Sequence, residues 1–95
     1  MDAEALLAER LVLDEKSFVE LVVWRLDQPV AGCRHRLKYR LAYVVASACV
    51  VRYDNESGKW DHRHFGGREA SYEFRSLDAL QADFWTDVAR WEARK

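Results

Sequence analysis

Residues Leu37 to Asn55 read LKYRLAYVVASACVVRYDN. The first nine alternate: Leu37, Tyr39, Leu41, Tyr43 and Val45 share one side, Lys38, Arg40, Ala42 and Val44 the other. That period of two is the pattern of a strand with one face on a core. Ala46-Ser47-Ala48 reads as a turn, and Cys49 to Tyr53 returns as the next strand, with Cys49 expected in the core. Asp54-Asn55-Glu56-Ser57-Gly58 follows as a turn cluster, because Asp, Asn and Gly tolerate left-handed backbone and cap their own amides.

The same pattern extends outward in both directions. Leu6–Leu13 and Phe18–Leu26 are aliphatic and β-branched, with Asp14-Glu15-Lys16 between them as a turn, so they read as a hairpin. The first arm also contains good helix formers, and eight residues do not decide between the two states. In the second arm both faces are mostly apolar, which predicts a central strand covered on both sides. Residues 27–36, holding the only Pro, form a loop. His62–Phe65 and Ser71–Phe74 read as two short strands around Gly66-Gly67. Leu77, Leu80, Phe84, Val88 and Trp91 then recur at spacings of three and four, the stripe of an amphipathic helix. Ser76 suits its N-cap, and Asp78 suits the positive end of its dipole. The predicted fold is therefore α+β: an antiparallel β-meander of about five or six strands, with the C-terminal helix packed on one face.

Ninety-five residues make one domain, 1–95. A hydrophobic fraction of 49% supplies its core, and the longest apolar run is far below the roughly 18 residues of a membrane span. Asp2 and Glu4 directly after Met1 do not fit a signal peptide. Cys33 and Cys49 are too few for a disulfide framework. These features predict a cytoplasmic protein with reduced thiols and no membrane association. The small sheet, apolar on both faces, also has room for a homodimer contact.

Net charge is −1, but it is unevenly spread. Residues 1–33 balance to −4, residues 34–68 to +5, and residues 69–95 to −2. Charge alone leaves two readings open for the middle third: a phosphate-binding patch, or exposed strand cations paired with the acidic flanks. Arg36, Lys38, Arg40, Arg52 and Arg63 are the candidates for a nucleic-acid backbone, with Tyr39, Tyr53 and Trp60 available to stack on bases. Trp60 has no obvious core register, and folds back as a lid or marks a contact surface.

His62 and His64 are one residue apart, so on a strand their rings share a face roughly 7 Å apart. Imidazoles exchange protons near neutral pH, which allows one to act as base and the other as acid. Lys59 offers a cation for a developing phosphorane, and Asp54 or Asp61 can fix an imidazole tautomer. These are the parts for metal-independent RNA cleavage. They are also compatible with a binding surface without turnover, or with a hydrogen-bonded loop. Zinc is a weaker reading: His62 and His64 could join Cys33 and His35, but the four lie in separate segments interleaved with Arg34, Arg36 and Arg63. No metal or other cofactor is expected.

KYRLAYVV followed by VVRYDNESGKWDHRHFGGRE resembles the TumE family of small bacterial toxins. The resemblance rests on Lys38, Tyr39, Arg52, Tyr53, Asp54, Asn55, Gly58, Lys59, Asp61, His62 and His64, and extends to FVELVVWRL and the final helix. It implies the toxin of a type II toxin–antitoxin pair, neutralised by a cognate antitoxin bearing a helix-turn-helix DNA-binding domain. Where the family pattern has a small residue after the lysine, this chain has Trp60. The expected activity, from the residues themselves, is that of a ribonuclease. The alternative is a non-catalytic module that sequesters a nucleic acid or protein.

Overall fold

The computed structural model describes residues 3–56 and 60–94. Six strands, β1 (Glu4–Asp14), β2 (Ser17–Arg25), β3 (Leu37–Val45), β4 (Ala48–Glu56), β5 (Trp60–Phe65) and β6 (Arg68–Ser71), precede one helix, α1 (Leu77–Glu92). The strands lie in chain order in a single sheet, each antiparallel to the next. This is the meander that the alternating pattern predicts. The first arm is a strand from Glu4 onward, since pairing with β2 overrides its local helix preference.

Register decides which side chains share a face. Val19, Leu21 and Val23 pair with Tyr43, Leu41 and Tyr39, and Leu41 and Tyr43 pair in turn with Tyr53 and Val51. All of these are buried, and Leu80, Phe84 and Val88 of α1 complete the cluster. Burying each such large side chain contributes about 1.5–3 kcal/mol, so this face holds the sheet and helix together. Ser76 Oγ accepts the Ala79 amide at 3.0 Å and caps α1, with Asp78 in the first turn. The C-terminal helix thus forms as the stripe predicts.

Four details differ from the sequence reading. Asp54, Asn55 and Glu56, expected to open a turn, continue β4 instead, while Ser57 and Gly58 lie outside the described residues. On β2 only one face is covered: Phe18, Glu20 and Val22 are half-buried and Trp24 is 39% exposed, because α1 lies on the other side. β6 begins at Arg68 rather than Ser71, so the hairpin turn is tight and Glu69 falls inside the ladder opposite His64. Cys49 is exposed, because a bulge between Tyr43 and Val44 shifts the end of β4.

The β3–β4 turn is made by Ala46 and Ser47 at φ 48° and 70°. Both residues being left-handed is the geometry a two-residue hairpin needs to follow strand twist. Glycine would adopt it with less strain.

Candidate functional site

Strand alternation divides the sequence-derived residues between the two faces of the sheet. Arg40 pairs with Asp54, and Asp54 with His62. Arg52 pairs with His64, and His64 with Glu69. These two rows lie on the face away from α1. Lys38 lies two residues from Arg40 on β3, beside Trp24 of β2. Lysine, arginine, histidine and carboxylate side chains therefore converge on an open sheet face. Part of this face is a concavity of about 380 Å³ whose lining includes Trp24, Lys38, Arg40, Arg52 and Asp54.

The two imidazoles stand 6.4 Å apart between ring centroids, close to the spacing expected for alternate positions of one strand. Arg52 Nη2 is 3.0 Å from His64 Nε2. A guanidinium only donates, so in this contact Nε2 presents its lone pair and the ring proton sits on Nδ1. Glu69 Oε2 at 3.3 Å and Asp54 Oδ1 at 4.0 Å face the same nitrogen, and would receive its proton once the ring is charged. Arg52 Nε lies 3.1 Å from Asp54 Oδ2, an ion pair in which the N–H is not aimed at the carboxylate. His62 Nε2 is buried with no hydrogen-bond partner among the described residues, and its Nδ1 is 3.9 Å from Glu69 Oε1. A buried, unsatisfied ring nitrogen beside a second imidazole is a costly arrangement for a merely structural residue. Lys59 lies outside the described residues.

Asn55 has its own task. Its side chain is fully buried, accepts the Tyr39 amide at 3.0 Å and donates to the Leu37 carbonyl at 2.7 Å. It therefore extends β3–β4 pairing past the last ladder residues, while Lys38 Nζ donates to its carbonyl. Arg-Tyr-Asp-Asn thus places Arg52 and Asp54 on the open face, and Tyr53 and Asn55 in the interior.

The remaining sequence candidates point elsewhere. Arg63 is on the helix face, where its Nε and Nη2 donate to Asp87 at 2.5 and 2.9 Å. Asp87's hydrogen bonds, the first of several causes, hold the Arg63 guanidinium in its charged form. Arg36 is exposed just before β3. Tyr39, Tyr43 and Tyr53 are buried against the core and present no ring for stacking on a base. Each of the four tyrosines donates its hydroxyl to a carboxylate: Tyr39 to Asp61, Tyr43 to Glu92, Tyr53 to Asp87 and Tyr72 to Asp83. Burial, and then those bonds, push all four phenols up; Tyr43 and Tyr72 reach about 12.

Asp61 is likewise on the helix face. It accepts from Tyr39 at 2.6 Å, from Cys33 Sγ at 3.2 Å, and from His35 Nε2 at 2.8 Å. The Leu37 amide donates to His35 Nδ1 at 3.2 Å, which leaves the ring proton on Nε2, aimed at Asp61. Burial and the Asp61 carboxylate push the Cys33 thiol up, so the thiol keeps its proton. Cys33, His35 and Asp61 offer ligand atoms within 4.8 Å of one another. Their protons are nonetheless committed to one carboxylate, a hub that fastens loop 26–36 to the sheet. His62 and His64 face away from this hub, so the four-residue zinc set of the sequence reading is not assembled. Trp60, 61% exposed, lies against Gly32 of the same loop. A Cβ at Gly32 would meet its ring at 2.2 Å, and the φ of 93° there also demands glycine.

Trp24 and Glu69 joined the open face without being singled out in the sequence. Alternation on β2 does place Trp24 opposite the buried valines. Glu69 required the register of β6, which a short, fully exposed strand does not announce. No helix among the described residues is long and apolar enough to cross a membrane.

No curated protein and no solved structure matches the chain. The family model described as Toxin TumE matches residues 2–92, nearly the whole chain. The Arg-Tyr-Asp-Asn and His-x-His segments that build the open face thus lie inside a match of that extent, and the chain belongs to the TumE toxin family.

Proposed function

We propose that this toxin acts on RNA through the open sheet face, cleaving it by general acid–base chemistry. The observation that carries the reading is the pair His62 and His64, 6.4 Å apart beside Arg52 and Asp54. His64 Nε2, whose lone pair accepts from Arg52 in the resting site, takes the proton of a ribose 2′-hydroxyl once a bound phosphate draws that guanidinium to itself. The freed oxygen attacks the adjacent phosphorus, and the 5′-oxygen leaves with a proton from His62. The products are a 2′,3′-cyclic phosphate and a 5′-hydroxyl. Arg52 offsets charge on the phosphorane, and Lys59 is assigned the same task from the sequence. Asp54 and Glu69 orient and stabilise the charged form of His64.

A second reading has its own support. Arg52 and Glu69 both engage His64 Nε2, so the same face would also suit a grip on a target without turnover. Growth inhibition in the cytoplasm, relieved by a helix-turn-helix antitoxin as in a type II system, fits either reading. The exposed edge strand β1, with Leu11, Val12 and Leu13 open to solvent, offers that antitoxin or a second copy a place to add.

Induced expression of wild type, His62→Ala and His64→Ala, with folding followed by circular dichroism, tests the proposal. Folded variants that lose toxicity and RNA cleavage support it. Folded variants that stay as toxic as wild type overturn it, and toxicity without RNA cleavage in a chelator-containing assay selects the binding reading.

A further inference from the structure

Across β4 and β3 from the histidine pair, the open face changes character. On β2 it carries Phe18, Val22 and Trp24 with Glu20 among them, and the indole of Trp24 stands 39% exposed with no ring or cation stacked on it among the described residues. A tryptophan left uncovered on a sheet face loses stabilisation that packing would supply. Diagonal to it on β3, two residues past its register partner Lys38, is Arg40, exposed and without a hydrogen bond or ion pair among the described residues. Asp54, its register partner, is instead turned to Arg52. Trp24 and Arg40 both line the concavity of about 380 Å³, together with Val22, the register partner of Arg40.

We infer that Trp24 and Arg40 form a subsite for an unpaired nucleotide, with the base stacked on the Trp24 indole and its phosphate held by the Arg40 guanidinium. The inference rests on the proposal that this face receives RNA, and assigns the strand form it takes. Distances fit one strand crossing the sheet. Arg40 lies two strands from His62 in the same row, roughly 10 Å, and Trp24 is a diagonal neighbour of Arg40, roughly 8 Å away. The nucleotide flanking the reacting phosphate would therefore reach the indole. A duplex would not, because its bases are stacked on one another and present no free face. Stacking on an aromatic side chain is tolerant of base identity, so the subsite selects single strands rather than sequences.

The test uses single-stranded DNA of mixed sequence, which has no 2′-hydroxyl and so reports binding alone. It is compared with the same length of duplex and with a strand of abasic residues. Wild type is expected to prefer the base-bearing single strand. Trp24→Ala should weaken that binding roughly 5- to 150-fold, the range expected for one stacked base. Trp24→Phe should keep most of the affinity, and the abasic strand should bind wild type and Trp24→Ala alike. The inference is overturned if folded Trp24→Ala binds the base-bearing strand within twofold of wild type, or if duplex binds as well as single strand. Loss of a protein partner with nucleic-acid binding unchanged would also overturn it. If Trp24 governs binding while wild type leaves RNA intact, the subsite stands and the cleavage reading alone fails.

Discussion

Asp87→Ala is expected to be among the most destabilising single changes outside the apolar core. Asp87 is 3% exposed on α1 and receives Arg63 Nε, Arg63 Nη2 and the Tyr53 hydroxyl. Removing it leaves a guanidinium against the core without its counter-charge, which costs about 3–5 kcal/mol when the orphaned charge stays buried. The Arg63 side chain retains 29% exposure and can turn partly to water, so the lower end, about 3 kcal/mol, applies. Tyr53 adds little, since its hydroxyl is still 3.3 Å from the Asp83 carbonyl. Against a total of about 5–15 kcal/mol for a small domain, the loss is large. Replacing both partners, Arg63→Leu with Asp87→Leu, removes the charge as well as its partner and should cost about 1 kcal/mol or less. Urea unfolding followed by circular dichroism, extrapolated to water, measures both. An Asp87→Ala protein that folds and loses less than about 1 kcal/mol refutes the ion-pair reasoning. The double variant also tests function: were Arg63 a phosphate ligand, this stable protein would lose RNA binding.

Two further outcomes concern stability. Folded-state phenol pKa values above the usual value of about 10 mean that the native state keeps protons the unfolded chain releases. The associated stability is full below about pH 10 and is lost as pH rises toward about 12, where Tyr43 and Tyr72 titrate. Tyrosinate absorbance should therefore appear together with unfolding, and ionisation near pH 10 in a native protein would contradict the assignment. In the β3–β4 turn, Ala46→Asn with Ser47→Gly should raise stability by about 0.5–1 kcal/mol by easing two left-handed residues. Thermal unfolding would show a rise of a few degrees, and an unchanged or lower midpoint would argue against strain there.

The meander was legible where each strand had one apolar and one polar face. Leu37–Val45 announced its core residues directly, and placing His62 and His64 together against Arg63 followed from strand alternation alone. β2 misled because both its faces are apolar, and sequence does not say which one a distant helix will cover. The result was a solvent-open Trp24, with the positively charged face extended beside it. Asp61, read as a partner for His62 or His64, lies on the opposite face, and its actual partners Cys33 and His35 are 28 and 26 residues away across a loop. No periodicity encodes that meeting. Glu69 was hidden for a different reason: four exposed residues form β6, so neither hydrophobicity nor propensity fixed its register.

In the proposed reaction His64 and His62 transfer protons during cleavage of an RNA strand laid on the open face. End-group analysis of RNA incubated with the pure toxin in chelator tests it most directly. The expected result is fragments ending in 2′,3′-cyclic phosphate with 5′-hydroxyl partners, their formation lost in folded His62→Ala and His64→Ala proteins. Intact RNA with wild-type toxin, or the same fragments from both variants at the wild-type rate, would contradict it.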